Sequence, residues 1–302
     1  MTSNPPDTNS LSAHVWKPKP EERDPLPVLD NSKHAETVII DLDGTMMEYG
    51  GQIEGKRFMH FSYAPRPFVV VASGSRVADV KRACNDPGVS FWADAFIGCN
   101  GNEAEFMDWS KPGHEATYWQ DPFRIQDRDA VNSLRWTCER LVRDSPWPDH
   151  HKTGDHFQER VGSFSFSVLG KRYGPAQREA YIEWERRTGE RIRLIEQLYR
   201  HDSFEHFDYF LGGQTGIDVV RRGCHKGRIF DMLKDISGPV YAIGDGMMRY
   251  GNDRPLRDRL WLNYGRFQDA FEVSGPVEAE LVLDYLAKKH SWRIHTWRKE
   301  NV

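Results

Sequence analysis

The sequence predicts an α/β protein: a Rossmann-like, mostly parallel core sheet with an inserted α+β cap domain. Three observations carry that expectation. Short apolar, largely β-branched runs in T-V-I-I-D-L-D-G-T (37–45), P-F-V-V-V-A-S-G-S-R (67–76) and V-Y-A-I-G-D (240–245) each run into acidic or hydroxyl residues and glycine. Helix-compatible segments separate these runs, and alternating strands and helices build parallel sheets whose ligands sit beyond the strand carboxyl ends. Between about 129 and 220 the texture changes to amphipathic helices and alternating strands, as expected of an insertion of about 100 residues.

The elements follow in order. Residues 1–34 carry Pro5, Pro6, Pro18, Pro20, Pro25 and Pro27 among polar residues and read as a flexible, extended arm outside the fold. The run at 37–45 is a buried strand that delivers Asp41 and Asp43 at its end. A second strand ends at Ser73 and leads into a helix through about 85, and A-F-I-G-C-N-G (95–101) is a third strand. In the middle, 129–143 forms an amphipathic helix and V-G-S-F-S-F-S-V-L-G (161–170) alternates like a half-exposed strand. Helices at 175–187 and 192–200 precede strands at 207–211 and 216–220. The parallel plan returns with a helix at 226–233, the strand at 240–245 and a terminal helix at 277–288. The expected division is a core of 35–113 and 216–302 around the insertion of 114–215, with hinges near 111–113 and 215–217.

Composition narrows the functional classes. Lys plus Arg number 41 against 45 Asp plus Glu, a formal charge of −4, so no bulk attraction to nucleic acid or an anionic membrane is expected. No apolar run has the ~20 residues that cross a bilayer or the form of a signal peptide, so a cytoplasmic location is the expectation. Cys84, Cys99, Cys138 and Cys224 contain no C-x-x-C pair and read as free thiols.

The strand ends carry the chemistry. In D-L-D-G-T, carboxylates at i and i+2 leave the strand on one side, which suits Asp41 as a nucleophile and Asp43 as its proton-transfer partner; the bland alternative is a solvent-facing turn. Gly44 permits the tight departure and Thr45 offers a hydroxyl to a phosphate or an aspartate. Ser73 reads either as a hydroxyl donor to a phosphoryl oxygen or as a helix N-cap. Lys226 reads either as a cation at a helix N-terminus that attracts an anion or as a surface lysine. Asp245 follows an apolar strand, and Asp41, Asp245 and the main-chain carbonyl of Asp43 supply the hard oxygens that magnesium requires. Arg160, Lys171 and Arg178, taken alone, are ordinary solvated charges.

Together, D-L-D-G-T, A-S-G-S (72–75), Lys226 and G-D-G-M-M-R-Y-G-N-D (244–253) resemble the haloacid-dehalogenase-like superfamily, and within it the eukaryotic-type phosphomannomutases. The resemblance extends into the insertion through R-V-G-S-F-S-F-S-V-L-G-K (160–171), Arg178 and L-G-G-Q-T-G-I-D-V (211–219). It implies nucleophile Asp41, acid/base Asp43, phosphate binders Ser73 and Lys226, and Mg2+ on Asp41, Asp43 and Asp245 with Asn252 and Asp253 in support. It also implies that Arg160, Lys171 and Arg178 clamp the non-reacting phosphate of a phosphorylated sugar, that Thr45 and Asp218 join the substrate site, and that the caps meet in a homodimer.

Within that resemblance, M-M-E-Y-G-G (46–51) stands where the mutases carry an arginine, and Gly246 where they place a lysine. A-S-G-S-R and H-K-G are more similar to the motifs of sugar phosphatases. The expectation is therefore a magnesium-dependent phosphatase of a phosphorylated sugar or related polyol, working through an aspartyl-phosphate. The alternatives are a hexose phosphomutase primed by a bisphosphosugar activator and, from a different class, a non-catalytic phosphosugar-binding protein.

Overall fold

The computed structural model describes residues 25–53, 65–84, 93–107, 116–121, 128–200 and 206–292. Its elements are β1 (Thr37–Asp41), β2 (Phe68–Ala72), α1 (Val77–Cys84), β3 (Ala95–Gly98), β4 (Glu103–Met107), β5 (Ala116–Gln120), α2 (Arg128–Asp144), β6 (Phe157–Arg160), β7 (Ser163–Phe166), α3 (Pro175–Thr188), α4 (Glu190–Tyr199), β8 (Phe207–Gly212), β9 (Gly216–Arg221), α5 (Ile229–Met232), β10 (Val240–Gly244), α6 (Arg254–Tyr264), β11 (Ala270–Glu272) and α7 (Pro276–His290).

Seven strands form one sheet in the order β11-β10-β1-β2-β3-β4-β5. The pairs from β11 to β3 are parallel, and β4 and β5 extend the edge antiparallel. Every residue of β1, β2 and β10 is buried, because helices cover both faces and successive side chains point to opposite sides. Val38, Ile40, Val69 and Val71 pack with Val80 of α1 and Leu283 of α7, whereas Ile39, Val70 and Ala72 pack with Ile229 of α5 and Leu260 of α6. The chain leaves β1 toward β2 on one side, while β10 pairs on the other, so the carboxyl end of β1 is the topological switch point.

A separate antiparallel sheet, β6-β7-β9-β8, is covered on one face by α2, α3 and α4. Phe164 and Phe166 of β7 and Ile217 and Val219 of β9 enter that core with Leu134, Tyr181 and Ile195. Alternation sends Ser163, Ser165 and Asp218 to the other face, with Ser165 opposite Asp218 in register. The sequence pattern at 161–170 suggested a half-exposed strand of ten residues. The strand is four residues long and buried on both faces, because Gly162, at φ 61°, turns the chain between β6 and β7 and the polar face is covered by the core unit.

Other expectations are revised. The arm expected at 1–34 lies outside the described residues up to 24, but 25–34 docks on the core. Leu29 is 1% exposed, its amide donates to Met232 O at 2.8 Å and its carbonyl accepts from the Lys234 amide at 3.0 Å. Asn31 Nδ2 donates to Thr37 Oγ1 at 3.0 Å. Backbone polar groups satisfied in this way hold a segment whose composition alone favours disorder. Sheet membership also departs from the expected division, since β5 belongs to the large sheet and β9 to the small one. At the hinge expected at 215–217, Thr215 O accepts from Ser167 Oγ at 2.8 Å, and Arg191 Nη1 donates to Gly213 O at 2.9 Å and Gly216 O at 3.2 Å. The hinge expected at 111–113 lies outside the described residues. The helix expected at 226–233 is a 3₁₀ turn, Lys226–Arg228, followed by the short α5. Strands β4, β5, β6 and β11 and helix α6 were not anticipated.

All four cysteines are buried and free. Among the described residues no helix is long and apolar enough to cross a membrane. Replacing Leu29 with Ala should lower the unfolding free energy by about 3 kcal/mol, as for a large-to-small change in a packed core; urea unfolding measures this, and a change near zero would return 25–34 to the status of a loose arm.

Candidate active site

Register aligns the strand ends. Asp41 pairs with Ala72 of β2, and the preceding Ile40 pairs with Ile243 of β10. Ser73 and Asp245 therefore leave their strands at the level of Asp41 and Asp43. The 3₁₀ turn brings Lys226 to the same place, with His225 Nδ1 accepting from the Gly227 amide at 3.2 Å. A brace fixes that turn: Arg228 Nη1 donates to Asn102 Oδ1 and to Asp121 Oδ2, each at 2.7 Å, and Asn102 Nδ2 donates to Cys224 O at 2.9 Å.

Lys226 is fully buried between two carboxylates. It donates to Asp41 Oδ1, and to Asp253 Oδ1 at 2.6 Å. Asp253 Oδ2 accepts from the Gly246 amide at 3.0 Å. Burial pushes the Asp41 carboxyl well above the usual carboxylate range, the charge of Asp253 pushes it further, and Lys226 opposes both. Burial works against the Lys226 ammonium, but Asp253 and Asp41 outweigh it and raise its pKa. Asp245 is raised to about 6, first by burial, although a hydrogen bond from Tyr49 lowers it.

Asp41, Asp245 and Asp253 each offer one oxygen within 4.8 Å of the others. Two buried carboxylates and the half-buried Asp245 with one ammonium leave excess negative charge, and a hard dication fits an all-oxygen set of this kind. The side chain of Asp43 is not in this group. Its Oδ2 accepts from Ser73 Oγ at 3.2 Å, and burial raises its pKa against the opposing effects of Ser73, Lys226, Arg160 and Arg178. Ser73 is not the cap of α1. Its Oγ accepts from the Ser75 amide at 3.0 Å, while the first amide of α1, Val77, donates to Glu103 Oε2 at 2.8 Å.

Gly44, at φ +82°, has no room for a side chain, because a Cβ would come within 2.3 Å of Asp245 Oδ2 and 2.6 Å of Tyr49 Cε2. Thr45 is buried with Oγ1 unpartnered. Asn252 is half-buried, with Oδ1 2.8 Å from where a Cβ on Gly246 would stand.

The polar face of the small sheet closes the site from the other side. Arg160, ending β6, donates through Nη1 to Gly74 O at 2.7 Å and to Asp218 Oδ1 at 3.3 Å. Asp218 Oδ2 accepts from Asn100 Nδ2 at 3.0 Å, so one carboxylate joins both units. Arg178, in the first turn of α3, donates through Nη1 to Tyr49 O at 3.4 Å, and its Nε is buried without a partner. Burial lowers the pKa of Lys171, with the Arg160 charge adding to the effect. Arg160 and Arg178 both act electrostatically on Asp43, which places these two cations of the second unit near that core carboxyl.

Two residues escaped the sequence reading. Tyr49 donates to Asp245 Oδ2 at 2.5 Å; burial raises its pKa, so the phenol is a neutral donor. The E-Y-G-G stretch had stood out only for the cation it lacks. Asn100 adopts the left-handed conformation at φ 57°, ψ 33°, and its Oδ1 is buried without a partner. The C-N-G ending of the third strand was its signal, since Asn tolerates that conformation.

Lys226→Met should destabilise the protein by about 3–5 kcal/mol, because it strands Asp41 and Asp253 as buried carboxylates without their counter-ion. Urea unfolding in metal-free buffer measures the loss, and a cost below 1 kcal/mol would mean that these acids are already neutral.

No family model matches the chain. A phosphomannomutase of Galdieria sulphuraria is 29% identical over 142 residues, 46% of this chain and 51% of that protein. The chain thus spans about half the length of this curated relative. An IMP-bound IMP-nucleotidase of Plasmodium falciparum superposes with a TM-score of 0.57 at 16% identity, over 85% of this chain and 69% of the other. The C-terminal domain of Candida albicans trehalose-6-phosphate phosphatase gives 0.53 at 13% identity, over 87% and 99%. The chain shares its fold with the IMP-nucleotidase and with the trehalose-6-phosphate phosphatase domain and has, over nearly half its length, sequence similarity to phosphomannomutases.

Proposed function

We propose that the protein is a magnesium-dependent phosphatase acting on a phosphorylated sugar or related polyol through a phosphoenzyme on Asp41. One observation carries the reading: the ends of β1, β2 and β10 and the Lys226 turn converge Asp41, Asp43, Ser73, Lys226 and Asp245 beneath the cations of a second unit. The similarity to phosphomannomutases and the fold shared with phosphatases support a phosphoryl-transfer chemistry.

In this reading an Asp41 oxygen bonds to phosphorus as the phosphorus–oxygen bond to the sugar breaks, and Asp43 gives its proton to the departing oxygen. Asp43 then takes a proton from water, whose oxygen bonds to phosphorus and releases inorganic phosphate from Asp41. Ser73 and Thr45 donate to phosphoryl oxygens, and Lys226 holds Asp41 in place while balancing charge. Magnesium would be held by Asp41, Asp245 and the Asp43 carbonyl, with Asn252 and Asp253 in support, and when bound it neutralises phosphate charge. Arg160, Lys171 and Arg178 take the distal anion of the substrate, with Asp218 orienting Arg160. The β6-β7-β9-β8 unit acts as the cap that excludes bulk water.

The second reading is a hexose phosphomutase, in which a sugar hydroxyl replaces water as acceptor and a bisphosphosugar primes turnover. The similarity to phosphomannomutases and the three cap cations favour it. Tyr49 and Gly50 occupy the region where those mutases carry a cation, which favours hydrolysis.

A panel of phosphosugars, assayed for inorganic phosphate and for positional isomers with and without a bisphosphosugar, separates the readings. Phosphate release should dominate, and isomer exchange with little phosphate would transfer the assignment to the mutase. Asp41→Asn should eliminate the acid-labile phosphoenzyme and both reactions, and retained labelling would move the nucleophile elsewhere.

Arg160→Ala should weaken doubly phosphorylated sugars about 10-fold or more, through loss of a charge-assisted hydrogen bond of ~1.5–3 kcal/mol, and singly phosphorylated ones less. Competition assays read this directly, and equal weakening of both would remove Arg160 from the distal-phosphate clamp.

A further inference from the structure

Tyr49 lies between the two halves of the site and touches each independently. Toward the core, its phenol donates to Asp245 Oδ2 at 2.5 Å. Its ring occupies the space that a side chain on Gly44 would need. Toward the small sheet, its main-chain carbonyl accepts from Arg178 Nη1 at 3.4 Å. The turn joining β8 to β9 comes up to the ring, since a Cβ on Gly213 would stand 3.8 Å from Tyr49 Cε1. That turn is held by Arg191 of α4 through the Gly213 and Gly216 carbonyls.

We propose that Tyr49 is a positioning residue that couples the seating of the small-sheet unit to the orientation of Asp245, so that magnesium binding and closure of that unit favour one another. The inference rests on the reading that Asp245 holds the metal. A carboxylate oxygen fixed by a hydrogen bond leaves the partner oxygen oriented for an ion, and such supporting bonds govern how well a carboxylate binds metal. The phenol oxygen moves only with its ring, which is confined against Gly44 and lies near the β8–β9 turn, while Arg178 of the small-sheet unit holds the Tyr49 carbonyl. Movement of the small-sheet unit therefore changes the freedom of Asp245. By thermodynamic reciprocity an ion that favours the fixed Asp245 favours the seated turn. A ring that only filled space would need no hydroxyl, and Phe would serve equally well.

Tyr49→Phe keeps the ring and removes the hydroxyl. Calorimetric titration of the full chain with magnesium should show affinity lowered by about 10-fold. Amide hydrogen exchange supplies the readout that packing alone would not move. In the wild type, saturating magnesium should slow exchange across 211–217, and in Tyr49→Phe that slowing should be lost even when magnesium is raised until the site is filled. Unchanged or tighter magnesium binding by the variant would overturn the inference, as would exchange across 211–217 that ignores magnesium in the wild type. A wild type that binds no magnesium overturns both the coupling and the metal assignment. Coupling that depends on the hydroxyl, found together with no phosphate release from any phosphosugar, would sink the phosphatase reading alone and support the role of Tyr49.

Discussion

Lys226 is buried between Asp41 and Asp253, and much of the molecule is arranged to make that burial tolerable. An ammonium without water costs several kcal/mol unless its partners are close and otherwise satisfied. Asp41 arrives from β1, Asp253 from the loop after β10 and Lys226 from a turn after β9, so the interaction ties three distant stretches of chain to one point. The requirement spreads outward to the glycines. A Cβ on Gly244 would lie 2.5 Å from Asp253 Oδ2, and one on Gly44 would strike Asp245. The brace of Arg228 on Asn102 and Asp121 then keeps the lysine turn from relaxing.

One ammonium among three carboxylates also explains the character of the site. Burial first, and the neighbouring carboxylate of Asp253 after it, raises the acids, and the excess negative charge makes the space attractive to a hard cation. The opposite wall reverses the sign with Arg160, Lys171 and Arg178. In the proposed function, a phosphorylated ligand with a divalent ion matches the charge of both walls. Strand alternation sends Phe164, Phe166, Ile217 and Val219 into the small sheet's own core and leaves Asp218, which holds Arg160, and the serines facing the other unit.

The convergence of Asp41, Asp43, Ser73 and Asp245 was legible because each follows a short apolar run, and parallel strands in register bring such ends together. Tyr49 was not legible, since a tyrosine in a polar turn has no periodicity and its partner Asp245 lies 196 residues away. Asn100 gave a local signal through its tolerance of the left-handed region, but its link to Asp218 depends on how two sheets meet. Residues 25–34 were misread because proline and polar residues suppress regular structure without preventing a single apolar anchor, Leu29, from finding a pocket.

The sequence by itself determined the mostly parallel β-sheet, the strand ends where acidic and hydroxyl residues converge and the existence of a second unit, because hydrophobic periodicity and residue type are local properties. The tertiary structure decided where the units divide, that Lys226 is a buried counter-ion on a 3₁₀ turn, that Ser73 serves Asp43 rather than a helix, and that Tyr49 joins the two walls. Those outcomes depend on contacts between residues far apart in the chain, and they are fixed only when burial forces each polar group to find its partner.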